Sequence, residues 1–165
     1  MNESYAEAGC SRRPIASTYL IQVGMIALTI LAFYLASIIP GVMFIAILMI
    51  VGMVYVFPRL NIEYEYIFCD GQIDFDRISG GQKRKTMRRI DFEQVEICAP
   101  IKSHSLDSYN HSNIKVIDYS SRDPQRPKYA VILRDKGNLV KIVFEPNETM
   151  LSCIKSKAPR KIVFD

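Results

Sequence analysis

The sequence predicts a membrane α-helical hairpin followed by a mainly β (α+β) domain. In that domain about seven antiparallel strands form a bent sheet or partly closed barrel, capped by one C-terminal helix. Three observations predict this. Pro14 to Pro58 is a run of forty-five residues without one Asp, Glu, Lys or Arg. From Asn61 onward apolar and polar residues alternate in short runs broken by Gly- and Pro-bearing turns, the pattern of half-buried strands. Near the end, Met150, Leu151 and Ile154 recur at helical spacing.

The uncharged run divides at Pro40-Gly41. Thr18–Ile39 has 22 residues, about 33 Å of helix against a hydrocarbon core of about 30 Å. Val42–Phe57 has 16, about 24 Å, and spans only if Gly41 and residues up to Leu60 join it. Neither segment has the charged face of a soluble amphipathic helix. A cleaved signal peptide does not fit, because the first run is too long and a second follows at once. Arg12 and Arg13 precede the hairpin and Arg59 follows it, while the turn carries no cation. By the positive-inside rule the protein is a two-span, multi-pass protein of the cell membrane with both termini cytoplasmic. The expected organisation is a polar, disordered tail over 1–13, the hairpin over 14–58 (helices about 17–39 and 41–58) and a cytoplasmic β domain over 59–165. Ala32, Ala36 and Gly52 are small enough to let the two helices approach.

The chain carries 21 Lys+Arg against 17 Asp+Glu, and residues 61–165 hold 18 and 15 of these. So mild a surplus makes no case for nucleic acid as a partner. The four cysteines form no C-x-x-C, so no zinc site, redox pair or other cofactor is implied. They read as reduced thiols, with Cys69 and Cys98 packed in strands as small apolar groups.

In the β domain, Ile62, Tyr64, Tyr66 and Phe68 share one strand face, opposite Glu63 and Glu65. Asp70-Gly71 is a hairpin turn, followed by Ile73 and Phe75 alternating with Asp74 and Asp76. Ser79-Gly80-Gly81-Gln82 turns again into a basic strand, Lys83–Arg89, which leads on to Ile97 and ends at Pro100. Residues 101–113 form the longest polar connection, before strands at 114–119, 128–134 and 140–144. Glu145-Pro146-Asn147 starts the C-terminal helix, Ala158-Pro159 ends it, and Lys161–Phe164 offers a short closing strand.

The stretch Ile90-Asp91-Phe92-Glu93-Gln94-Val95-Glu96-Ile97, set after an Asp-Gly turn, a Gly-rich turn and a basic strand, resembles bacterial pleckstrin-homology-like (PH-like) domains. The order of segments is similar to that of a family of small bacterial two-helix membrane proteins with a C-terminal PH-like domain. Residues 99–109, Asp118-Tyr119-Ser120-Ser121 and Ala158-Pro159-Arg160-Lys161 carry the closer likeness. The resemblance implies a PH-like barrel and assigns no activity. It implies no phosphoinositide site either, because the first hairpin of the β domain, Phe68–Gln72, has no cation.

Two constellations remain. Lys83, Arg84, Lys85, Arg88 and Arg89 put five cations in seven residues. They serve either as a solvated edge that discourages sheet-to-sheet pairing or as a contact for anionic lipid headgroups. Strict alternation puts Lys83, Lys85 and Arg89 on one face, Arg84 and Arg88 on the other. His104, Asp107 and His111 could serve a metal-dependent or membrane-bound hydrolase, but no strand or helix period aligns them. The sequence thus predicts a membrane-tethered binding or scaffolding module. It has no catalytic, metal or cofactor residues evident, and its partners are the bilayer and a protein of unknown identity.

Overall fold

The computed structural model describes residues 4–39, 41–81, 83–110 and 114–164. Its first element corrects an expectation. The N-terminal segment is a strand, β1 (Tyr5–Ser11), where a disordered tail was expected. Small residues build it: Ala6 and Cys10 point into the core, while Tyr5, Glu7, Gly9 and Ser11 point out. β1 pairs antiparallel with β2 (Ile62–Cys69), Tyr5 opposite Cys69 and Ser11 opposite Glu63. The two chains meet closely at Gly9, where an added Cβ would lie 3.1 Å from the Tyr64 carbonyl oxygen.

Between these paired strands the chain runs out and back as two helices, α1 (Ala16–Ala36) and α2 (Val42–Leu60). They are about 31 and 28 Å long, and both are long and apolar enough to cross a membrane. α2 does not stop at Pro58 as expected but runs through it to Leu60. A proline in the last turn removes one amide donor without breaking the helix. The seam between the helices is narrow. Thr29, Ala32 and Ala46 are its buried residues, and the Thr29 hydroxyl donates to the Met25 carbonyl at 2.8 Å. Gly52 contributes no close approach, since a Cβ there would meet open space. The rest of both helices is exposed apolar surface, including Leu20, Val23, Ile30, Phe44, Leu48 and Val54. The expected turn residue Pro40 lies outside the described residues.

The first sheet has the order β1-β2-β3-β4, all antiparallel, with β3 at Gln72–Ser79 and β4 at Lys83–Asp91. Asp70 and Gly71 both have positive φ, as a tight two-residue hairpin turn requires. The second sheet has the order β5-β7-β8-β6, from β5 (Val95–Pro100), β6 (Lys115–Asp118), β7 (Tyr129–Asp135) and β8 (Asn138–Phe144). β6 runs parallel to β8, so the domain is not the simple meander expected. Eight strands are described rather than about seven, and the closing strand at Lys161–Phe164 shrinks to one bridge between Cys98 and Ile162.

The core lies between the sheets, and Phe75 packs against three other aromatic rings at its centre. Phe75 is 5.2 Å from Tyr119 and 5.7 Å from both Tyr66 and Phe144, between ring centroids. α4 (Glu148–Lys157) closes one end as expected: Met150 and Ile154 are fully buried, and the Asn147 side chain caps the Met150 amide at 2.8 Å. α4 also shields the free edge of β1. Asn147 Nδ2 donates to the Glu7 carbonyl at 2.7 Å, and the Cys153 thiol faces that of Tyr5. A smaller cluster of Ala99, Leu106, Ala130 and Ile132 lies outside the second sheet.

This architecture changes what a version without the two helices must contain. A fragment starting at Asn61 lacks β1 and bares the edge of β2. A chain joining Ser11 to Ile62 through a short Gly-containing turn keeps both. Circular dichroism should show the joined chain melting cooperatively at least ~10 °C above the fragment, since each lost kcal/mol is worth ~4–8 °C in a domain this size. Equal melting temperatures would mean that β1 adds nothing to stability.

Candidate functional site: the cleft between the second helix and the basic strand

β4 is an edge strand, and a bulge decides where its cations point. Asp76 lies opposite Thr86 but Phe75 lies opposite Arg88, so Met87 is an extra residue. The strict alternation expected from sequence therefore fails at this point. Lys83, Lys85 and Arg88 share the face of Tyr64, Arg77 and Phe75, while Arg84 and Arg89 share the opposite face.

Three of the five cations are engaged. Arg84 Nε donates to Asp76 Oδ2 at 2.6 Å, and the same guanidinium pairs with Glu65. Arg89 forms a two-pronged pair with Asp74. Their hydrogen bonds to the Asp76 and Asp74 carboxylates hold these two guanidinium groups above their ordinary pKa. Arg88 pairs with Asp135 at the end of β7 and so ties the two sheets together. Lys83 and Lys85 form no ion pair among the described residues.

These two lysines belong to a cleft of about 1030 Å³ between the last turns of α2 and the β3–β4 hairpin. Its apolar side is Val54, Tyr55, Pro58 and Met87; its polar side includes Arg59, Arg77, Lys83, Arg84 and Lys85. No carboxylate lines it among the described residues. Arg59 stacks on the Tyr55 ring, 3.7 Å from the centroid. Arg77 makes no ion pair or side-chain hydrogen bond among the described residues, and its Nε is buried without an acceptor. Such an orphaned donor typically costs about 1–3 kcal/mol. The base of the cleft is rigid. Gly80 sits at φ +63° and donates its amide to the Asn61 carbonyl at 3.1 Å, and a Cβ added there would lie only 3.0 Å from Pro58.

Sequence reasoning singled out the lysines but missed Arg59, Arg77, Tyr55 and Met87 as members of one site. One signal was present: Arg77 continues the Ile73, Phe75 alternation, placing a cation on an otherwise apolar strand face.

The polar connection after β5 does different work. Its Leu106 is buried against the second sheet, with Tyr109 beside it, so this segment covers a sheet face. Residues Asp107–Asn110 form a single helical turn, α3. His104 Nδ1 lies 3.1 Å from Asp107 Oδ2, but the His104 side chain is 100% exposed and Asp107 is 62% exposed. The pair splays into solvent and lines neither the cleft beside α2 nor the smaller clefts of the β domain. His111 lies outside the described residues. Among the described residues no cluster of three potential metal ligands forms.

Two thiols are buried. The Tyr66 hydroxyl donates to the Tyr119 carbonyl at 2.5 Å, and the Cys10 thiol lies 3.0 Å from that hydroxyl and 3.5 Å from the same carbonyl. Burial raises the pKa of both groups. Cys98 lies in the core, and burial pushes its thiol up to about 12. Cys69, expected to be packed in a strand, is exposed at the end of β2.

A family model described as Bacterial PH-like domain (DUF6106) matches residues 2–164, helices included. No curated protein and no solved structure gives a significant match.

The buried thiol sets a pH dependence. A pKa raised in the fold means that stability is fully present below the thiol's ordinary value of 9.0 and is lost as pH rises toward about 12. Denaturant midpoints of the full chain in detergent, followed by near-ultraviolet circular dichroism, should be flat below that window and fall within it. Cys98→Ala should fall less steeply. An identical fall in both would show that Cys98 does not ionise on unfolding.

Proposed function

The chain belongs to the bacterial PH-like family, and from that premise we propose that it is a membrane-tethered binding or scaffolding module without catalytic function. PH-like domains are generally non-catalytic binding modules. One observation carries the tethering: β1 and β2 pair across the helix pair, so both helix ends return to the same sheet edge. A soluble protein would bury such helices, whereas here their apolar flanks are exposed. A bilayer is the solvent that suits that surface.

On this reading the helices span the cell membrane twice. Arg12, Arg13 and Arg59 lie at the cytoplasmic side, and the β domain sits directly beneath the headgroups. The basic strand then faces anionic lipid with only part of its charge. Lys83 and Lys85 remain available, at about 1 kcal/mol each near an anionic surface. Arg84, Arg88 and Arg89 are held by Asp76, Asp74, Glu65 and Asp135. The remaining surface of the domain is left for a protein partner, and nothing in the charge pattern calls for nucleic acid.

Topology tests the reading. In sealed cells, an impermeant thiol reagent should label a cysteine placed at Gly41, whereas exposed Cys69 should react only after permeabilisation. Labelling of Cys69 in sealed cells would overturn the orientation. Recovery of the full chain in the soluble fraction would overturn the tether.

A further inference from the structure

The cleft between α2 and the β3–β4 hairpin combines three features seldom found together on a plain solvated edge. Four cations, Arg59, Arg77, Lys83 and Lys85, line it without an ion pair among the described residues. No described Asp or Glu balances them there. On the opposite face of the same strand, the cations are matched by carboxylates, Arg84 with Asp76 and Glu65, Arg89 with Asp74. The protein therefore neutralises the cations on one face of β4, whereas on the other Arg88 is paired with Asp135 and Lys83 and Lys85 have no ion pair among the described residues. Beside these cations lies an apolar wall, in which Val54, Tyr55 and Met87 are all exposed.

We propose that this cleft seats one anionic phospholipid. Its phosphate is held by Arg59, Arg77, Lys83 and Lys85, and its glycerol and first methylenes lie along Val54, Tyr55 and Met87. The assignment rests on the membrane-tethered reading. Val54, Tyr55 and Pro58 of this wall belong to the last turns of α2, and Met87 to β4, so the helical part of the wall is continuous with the lipid-facing surface of α2. The cations lie just beyond it, at the depth where phosphates sit. The mixed lining selects an amphiphile over free phosphate, which has no use for the apolar half. Arg77 supplies the specific donor, since the residue lines the cleft and makes no ion pair or side-chain hydrogen bond among the described residues.

The test uses the full chain in detergent, offered equal amounts of phosphatidylglycerol and phosphatidylcholine, with retained lipid read by native mass spectrometry. One phosphatidylglycerol per chain should be retained in preference. The exposed double variant Lys83→Gln/Lys85→Gln should lower that retention at least about tenfold, as expected for two interfacial cations. Lys83→Arg/Lys85→Arg should restore it. Arg89→Gln, on the other face, should leave it unchanged. Equal retention of the two lipids, no loss in the double variant, or the same loss in Arg89→Gln would each overturn the proposal. Displacement of the lipid by inorganic phosphate would assign the cleft to a soluble anion and overturn the lipid as its occupant. Alkaline carbonate washing of membranes separates the two readings. Release of the chain would sink the tether itself, whereas a chain that stays in the membrane without lipid preference would sink only the cleft.

Discussion

The antiparallel pairing of β1 with β2 is the constraint from which the rest of the structure follows. Seven residue pairs fix the register, from Tyr5 with Cys69 to Ser11 with Glu63. Adjacent strands lie about 4.8 Å apart, so the chain that leaves at Ser11 must return almost to the same point. Two antiparallel helices meet that demand, their axes needing only about 8–10 Å of separation. The Arg13 amide donates to the Ser121 carbonyl and the Gly80 amide to that of Asn61, so both helix ends are bonded to the β domain. With two such attachments the helix pair cannot swivel freely on the sheets. The cleft beside α2 depends on this, because its two walls come from elements that would otherwise move independently.

Long-period and strong-alternation features were legible in the sequence. The helices announced themselves by length and lack of charge, and α4 by spacing and its Asn147 cap. The strands carrying Tyr, Phe and Ile were equally plain. β1 was not, because its inward residues are Ala6, Ala8 and Cys10. These small side chains give little hydrophobic alternation and have low strand preference. What makes them a strand is a partner on the far side of both helices, and the close approach at Gly9 shows why larger residues are absent there. The parallel pairing of β6 with β8 escaped for a similar reason: local periodicity says nothing about which neighbour a strand takes.

Charge was the hardest quantity to judge from the sequence. Five cations in seven residues look like one basic patch, yet the fold divides them. The bulge at Met87 reverses the alternation halfway along β4, and carboxylates from β2, β3 and the end of β7 neutralise three of the five. In their place Arg59 and Arg77, distant in sequence, join Lys83 and Lys85. Net charge over a segment therefore overstated the strand and understated the cleft. The His104–Asp107 pair shows the same limit from the other side, since closeness in sequence gave contact without enclosure.

Splitting a β-hairpin with two long helices also has a consequence for biosynthesis. β1 leaves the ribosome roughly fifty residues before β2, which at ~5–20 residues per second is a delay of about 3–10 s. Throughout that interval its backbone donors and acceptors have no sheet to join. The nascent strand must stay within reach of the point where β2 later emerges, while α1 and α2 fold between them. Its composition suits the wait: with Glu7, Gly9 and Ser11 facing outward and only small residues facing inward, it offers little for another chain to seize. β1 is thus made before, and paired after, everything between it and β2, so its pairing depends on both helices bringing the chain back to it.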